Sequence, residues 1–282
     1  MSDAAPALEC RGLVHVYRVD GTDVAALRGI DLVVPEGQNV ALLGPSGSGK
    51  STLFAVLAGV LRPSAGTARV FGTDVGRAGR RRLRELRGST LGLMLQGAAR
   101  NLLSFDDALG NVRAAVRGTG HADDSLGRAM LDAGGIEPHG GPVGGLSPRD
   151  QQIVALAVAL STRPRLLLAD EPTSRLDEDA RDRVLDLLLG VTRREGISVL
   201  VVTHDPAVAS RMQRMIHLRD GRIAEEATAS GRYAVIGADG SVQLPEGAEL
   251  LGWAPGALVS VDLSLPGEIR IRPAEGVAAP PR

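Results

Sequence analysis

Few segments leave a chain less architectural freedom than Gly44-Pro45-Ser46-Gly47-Ser48-Gly49-Lys50-Ser51-Thr52. It fits G-x-x-x-x-G-K-[ST] in full. An apolar run, Val40–Leu43, precedes it and reads as a buried strand; an apolar stretch, Leu53–Leu61, follows and reads as a helix. Glycines let backbone N–H groups turn inward around phosphate oxygens, and the helix N-terminus adds its positive dipole end. Lys50 is expected to reach the β- and γ-phosphates of a nucleoside triphosphate, and Ser51 to ligate Mg²⁺.

Among 32 Lys+Arg residues, Lys50 is the only lysine. An ammonium is a compact point charge and a guanidinium a planar fork, so a close-fitting phosphate site can reject the exchange. The net charge of −1 supplies no global basic field for nucleic acid. The single cysteine, Cys10, excludes an internal disulfide framework and fits a reducing compartment. No apolar run approaches the ~20 residues of a membrane helix, so a membrane role calls for a separate membrane subunit.

Two further buried strands are expected at Leu166–Ala169 and Val199–Val202, with helices before them at Gln151–Leu160 and Ala180–Arg194. Alternating strands and helices predict an α/β fold with a parallel core sheet covered on both faces. Between Gln96 and Gly145 the strand signal fades, and Asp106–Val116 and Asp123–Ala133 read as a helical insertion. The Leu166 strand ends in Asp170-Glu171, two adjacent carboxylates at its carboxyl end, where open α/β sheets bind ligands. Asp170 is expected to hold Mg²⁺, and Glu171 to polarise the attacking water.

With these residues in order, positions 8–226 resemble the ATP-binding subunits of ABC transporters, P-loop NTPases with an added antiparallel β subdomain. The resemblance implies MgATP as cofactor, with Tyr17 stacking on adenine and all of Gly44–Thr52 cradling the phosphates. Gln96 would touch Mg²⁺ and the attacking water. Ser174-Arg175-Leu176-Asp177 matches the D-loop, and His204, in Thr203-His204-Asp205, would contact the γ-phosphate. Asn101-Leu102-Leu103 and Asn111-Val112 look like the MacB/LolD export branch. The implied partners are a separate transmembrane permease and a second ATP-binding subunit, on the cytoplasmic face of the cell membrane. His15, His121, His139 and His217 read as structural or surface residues, and the arginines from Arg80 to Arg87 as a solvated face.

One motif departs from the family. Its signature, Leu-Ser-Gly-Gly-Gln/Glu, here reads Leu146-Ser147-Pro148-Arg149-Asp150, with Ile153 where an arginine is usual. Ser147 still suits an N-cap and Pro148 the first helical position. In the family the signature serine meets ATP held by the partner subunit, so Ser147 is carried over as a nucleotide contact. Pro148 lacks an N–H and Arg149 adds bulk, although Arg149 could itself neutralise phosphate. An ATP-binding regulatory module with weak or no hydrolysis is therefore the alternative to a transport ATPase.

Residues 225–282 carry eight acids and four arginines, and strand and turn signals dominate. Tyr233–Ile236 and Ser241–Leu244 flank Asp239-Gly240, a hairpin dipeptide; a short helix is expected from Pro245 to Leu251, and strands at Leu258–Leu263 and Glu268–Ile271. Residues 231–273 resemble a small β-rich swapped-hairpin module of the AbrB/SpoVT type, with a tail at 274–282. Its acidity argues against DNA binding, and a β appendage packed on its own subunit is the plain alternative.

Overall fold

The computed structural model describes residues 5–118, 123–236, 242, 259–262 and 270–273. Strands β1 (Leu8–Val19) and β2 (Thr22–Val34) lead to β3 (Asn39–Leu43), the phosphate loop and helix α1 (Lys50–Leu57). Then come β4 (Ala65–Val70), β5 (Thr73–Asp74), α2 (Arg80–Ser89) and β6 (Leu91–Met94). The helical insertion is α3 (Ala108–Arg117) and α4 (Ser125–Gly134), followed by α5 (Pro148–Leu160). The remaining core is β7 (Leu166–Asp170), α6 (Glu178–Glu195), β8 (Ser198–Val202), α7 (Pro206–Ala209), β9 (Arg214–Arg219) and β10 (Arg222–Thr228).

Seven strands form the central sheet in the order β11-β10-β9-β3-β8-β7-β6, where β11 is Gly231–Ala234. From β9 to β6 the neighbours are parallel, and β10 and β11 close one edge antiparallel. All five residues of β3 and of β8 are buried, as a strand covered on both faces requires. Alternation divides them: Val40 and Leu42 join one core with α1 and the antiparallel sheet, Ala41 and Leu43 the other with α3 to α6. The second sheet, β2-β1-β4-β5, is wholly antiparallel.

The expected helices and core strands form, with shifted ends. Helix α1 starts at Lys50, before the apolar stretch, because the loop itself supplies its first turn. Helix α5 starts at Pro148, with Ser147 Oγ accepting from the Asp150 N–H at 3.2 Å. In α2 Arg80, Arg81, Arg82 and Arg84 face outward while Leu83 and Leu86 are buried; Arg87 instead turns in, donating to the Ala58 and Gly59 carbonyls at 3.2 and 3.3 Å.

The C-terminal segment differs from the expectation of a separate module. Strand β11 joins the ATPase sheet, because β10 offers an unpaired edge that the four register pairs from Glu225↔Ala234 to Thr228↔Gly231 satisfy. Beyond it, Ile236 bridges Val242, and β12 (Val259–Asp262) pairs antiparallel with β13 (Arg270–Pro273). The Asp239-Gly240 turn, a helix expected from Pro245 to Leu251, His121 and the tail at 274–282 lie outside the described residues. Among the described residues no helix is long and apolar enough to cross a membrane.

Candidate active site at the carboxyl edge of the core sheet

Register brings the candidate residues to one edge. Leu42 pairs with Val202, and Val202 with Asp170, so β3, β8 and β7 end level with one another. The phosphate loop leaves β3, Glu171 follows β7, and His204 lies two residues beyond β8. A cavity of about 670 Å³ opens there, lined by Tyr17, the loop, Gln96, Asp170, Glu171 and His204.

The loop is built around backbone. Gly44 has φ 147° and Gly49 φ 103°. A Cβ on Gly44 would collide with the Leu218 carbonyl, and one on Gly49 with the Ala26 carbonyl. Both positions therefore need glycine for conformation and for space. Pro45, Ser46, Gly47, Ser51 and Thr52 line the cavity with them. Ser48 does not: it is buried, its N–H donating to the Pro45 carbonyl at 3.3 Å and its carbonyl accepting from the Gly221 N–H at 3.1 Å. Lys50 Nζ donates to the carbonyls of Gly44 at 2.7 Å and Pro45 at 2.8 Å. Burial lowers its pKa, and the charges of Glu171 and Asp170 oppose that shift.

Asp170 stands half-buried, and burial raises its pKa; Glu171 adds to the rise, while Lys50 and Arg100 counter it. Such a carboxylate gains from a cation beside it. Glu171 is buried and has φ 50°, a left-handed conformation costing a non-glycine residue about 1–3 kcal/mol. Its N–H donates to the Val202 carbonyl at 2.8 Å, which holds it against β8. His204 Nδ1–H donates to Glu171 Oε1 at 2.6 Å, the histidine side chain being 75% exposed and the glutamate's 11%. Ser51, Asp170 and Gln96 supply only oxygen donors, as a magnesium ion shared with phosphates prefers. Among the described residues no group of three or more His, Cys, Asp or Glu could hold a metal alone.

Tyr17 flanks the loop, its hydroxyl 3.3 Å from Thr52 Oγ1. Gln96 lies in a loop shaped by two asparagines. Asn101 Oδ1 accepts from the Leu95 N–H at 2.8 Å, and Asn101 Nδ2 donates back to the Leu95 carbonyl at 2.8 Å. Asn111 clips Leu103 in the same two-way manner, at 2.7 and 3.1 Å. Side-chain amides that mimic a strand partner carry no periodicity, so in sequence Asn101 and Asn111 stand out only through the resemblance to the export branch, and their clipping role does not. Also missed was Arg100, whose charge acts on Asp170. With Arg175 it lines an adjoining cavity of about 900 Å³ that shares Gln96, Glu171 and His204.

Ser147 stands away from both cavities. Arg149 folds back: Nη2 donates to the Gly134 carbonyl at the end of α4 at 3.0 Å, and Nη1 lies 3.2 Å from Asp150 Oδ1.

A phosphate loop leaving a central parallel strand, with two acids ending a strand of the same sheet, defines a P-loop ATPase. The profile described as ABC transporter matches residues 27–174. Lipoprotein-releasing system ATP-binding protein LolD 1 of Caulobacter vibrioides is 38% identical over 232 residues, 80% of this chain and 98% of that protein. Macrolide export ATP-binding/permease protein MacB of Rhodospirillum rubrum is 39% identical over 260 residues, 90% of this chain and 39% of that longer protein. Among solved structures, the dimeric, post-hydrolysis ATP-binding cassette MJ0796 bound to ADP and Pi superposes with TM-score 0.71 at 29% identity, covering 78% of this chain and 98% of that one.

The chain belongs to the ABC transporter family, as an ATP-binding subunit close to the LolD and MacB export branch. It is an ATP-hydrolysing transport subunit that uses MgATP and works with a transmembrane permease and a second ATP-binding subunit. These matches lend no support to an AbrB-type module after Glu226.

Proposed function

We propose that this chain is the energising subunit of an export complex, held at the cytoplasmic face of the membrane by a separate permease. The observation that carries the reading is Glu171 beside the phosphate loop, buried and hydrogen-bonded to His204 at 2.6 Å. Lys50 counters charge on the β- and γ-phosphates, and Tyr17 carries the base. Ser51, Asp170 and Gln96 would hold Mg²⁺, which when bound neutralises charge developing on the transferred phosphoryl group. Glu171 orients and accepts a proton from the attacking water, and His204 positions Glu171. Ser147, off the cavity, is assigned to ATP held by the partner subunit. The names of the relatives, lipoprotein-releasing and macrolide export, support an outward direction. Glu171→Gln is expected to bind MgATP normally and to lose at least ~99% of turnover; retained multiple-turnover phosphate release removes Glu171 from this role.

A second reading is favoured by Arg149. Its guanidinium is committed to Gly134, and Pro148 offers no N–H, so this signature presents little to a partner's phosphate. On that reading the chain binds ATP as a switch and hydrolyses it slowly. Pro148→Gly/Arg149→Gly decides: a clear rise in ATPase rate supports a weakened signature, and an unchanged rate rejects it.

For residues 231–273 we infer self-association through hairpins. The pairs of Ile236 with Val242 and of β12 with β13 supply the hairpins that such an exchange would use. Light scattering on the chain cut after Ser230 tests it, since loss of a nucleotide-free dimer is expected.

A further inference from the structure

We propose that His15 is a positioning residue for the nucleotide base, acting through Tyr17. The inference rests on the reading that Tyr17 carries the base. His15 and Tyr17 lie two residues apart on β1, on the same face of the strand. Their rings meet edge to face, with centroids 4.6 Å apart and planes at 77°. His15 is buried, at 8% exposure, whereas Tyr17 is 37% exposed at the rim of the cavity. A half-exposed ring near the carboxyl end of β1 needs something to hold its plane, and His15 is the ring that does so.

His15 is itself anchored. Its Nδ1–H donates to the Arg62 carbonyl at 3.0 Å. Arg62 lies in the turn that leaves α1, and that turn is stitched to β1 twice. The Val16 N–H donates to Ser64 Oγ at 3.0 Å, and the Ser64 N–H to the Val14 carbonyl at 2.8 Å. At the other end of α1, the Tyr17 hydroxyl meets Thr52 Oγ1, the last residue of the phosphate loop. Tyr17 is thus referred to both ends of the helix that begins at the phosphates. His15 fixes the ring's orientation from the far end, and Thr52 fixes the hydroxyl from the near end. The distance and angle between base and triphosphate are set by this clamp, so His15 governs how well the site reads a base, not how well it holds phosphate.

The test compares full-length wild type with His15→Ala, His15→Phe, His15→Leu and Tyr17→Ala, titrated calorimetrically with MgATP and with magnesium tripolyphosphate, which has no base. His15→Ala is expected to weaken MgATP binding about two- to tenfold, one aromatic pair converted at about 1.4 kcal/mol per decade. Tripolyphosphate binding is expected to be unchanged, as is kcat at saturating ATP. His15→Phe keeps a ring edge against Tyr17 and is expected within twofold of wild type. His15→Leu fills similar volume without that edge and shows the loss even if the alanine variant is unstable. The proposal is overturned if Tyr17→Ala weakens ATP while His15→Ala and His15→Leu do not. It is equally overturned if they weaken tripolyphosphate as much as ATP, which would mark a general disturbance of α1. If Tyr17→Ala leaves ATP affinity intact, the base reading itself fails and the role of His15 with it.

Discussion

At the level of single residues, the site gathers buried charges that a magnesium phosphate would complement. Lys50 donates to two loop carbonyls, at 2.7 and 2.8 Å. Arginine cannot make that compact pair of contacts without displacing the loop. Lys50→Arg is expected to weaken MgATP binding about ten- to hundredfold, the loss of one or two charge-assisted hydrogen bonds, measured by titration calorimetry. Asp170 shows the same conflict in its proton equilibrium. Burial raises its folded pKa above the ordinary 3.8, so the folded state holds that proton more tightly than the unfolded chain does. At neutral pH the ionised carboxylate therefore opposes folding, and the penalty fades as pH falls through the raised pKa toward 3.8. Asp170→Asn is expected to raise the Tm of the nucleotide-free protein by a few degrees at neutral pH. That gain should shrink in acid, while the stabilisation by MgATP is lost; a scanning calorimeter follows both.

Among the elements, α5 carries the largest departure from the family pattern, and its N-terminus serves two purposes at once. Ser147 caps the helix through the Asp150 N–H. It is also the residue proposed to meet a partner's nucleotide. Ser147→Ala removes the cap and is expected to cost about 1 kcal/mol in urea denaturation. Ser147→Asp preserves the cap and adds negative charge. If Ser147 faces a phosphate, the aspartate variant should be as stable as wild type and nearly inactive as an ATPase. An active Ser147→Asp would confine this residue to its capping role. The α3 start is capped in a similar way: Asp107 accepts from Gly110 at 2.6 Å and from His139 Nδ1 at 2.8 Å. The His139 hydrogen bond, followed by the backbone one, lowers the Asp107 pKa. His139 is thereby a structural residue, one of the two roles expected of it.

For the molecule as a whole, the loop from Leu95 to Asp107 connects the nucleotide cavity to an apolar surface. Gln96 lines the cavity, and the same loop presents Leu95 and Leu103 together with Phe105, which is 78% exposed. A large ring so exposed on a loop clipped by two asparagines fits an interface more readily than solvent. Phe105→Asp is expected to leave the basal ATPase rate of the isolated chain within about twofold and to abolish stimulation by the permease in reconstituted membranes. Full stimulation in that variant would place the permease contact elsewhere.

The phosphate loop, the Asp170-Glu171 pair and the main core strands were legible from residue order, because each is a local pattern. The apolar run Val40–Leu43 reads as a covered strand because the phosphate loop follows it, and G-x-x-x-x-G-K-S specifies its own backbone path. Neither sequence spacing nor composition, however, could bring Tyr17, Gln96, Glu171 and His204 to one cavity. Parallel register did that for Gln96, Glu171 and His204, by ending β6, β7 and β8 level with β3, while Tyr17 arrives from β1 of the antiparallel sheet. Only packing revealed that Arg149 turns back onto Gly134, that Ser48 is hidden beneath its loop, and that β11 extends the ATPase sheet. Local chemistry is written in neighbouring residues, whereas the direction a side chain takes depends on partners that the chain meets only after folding.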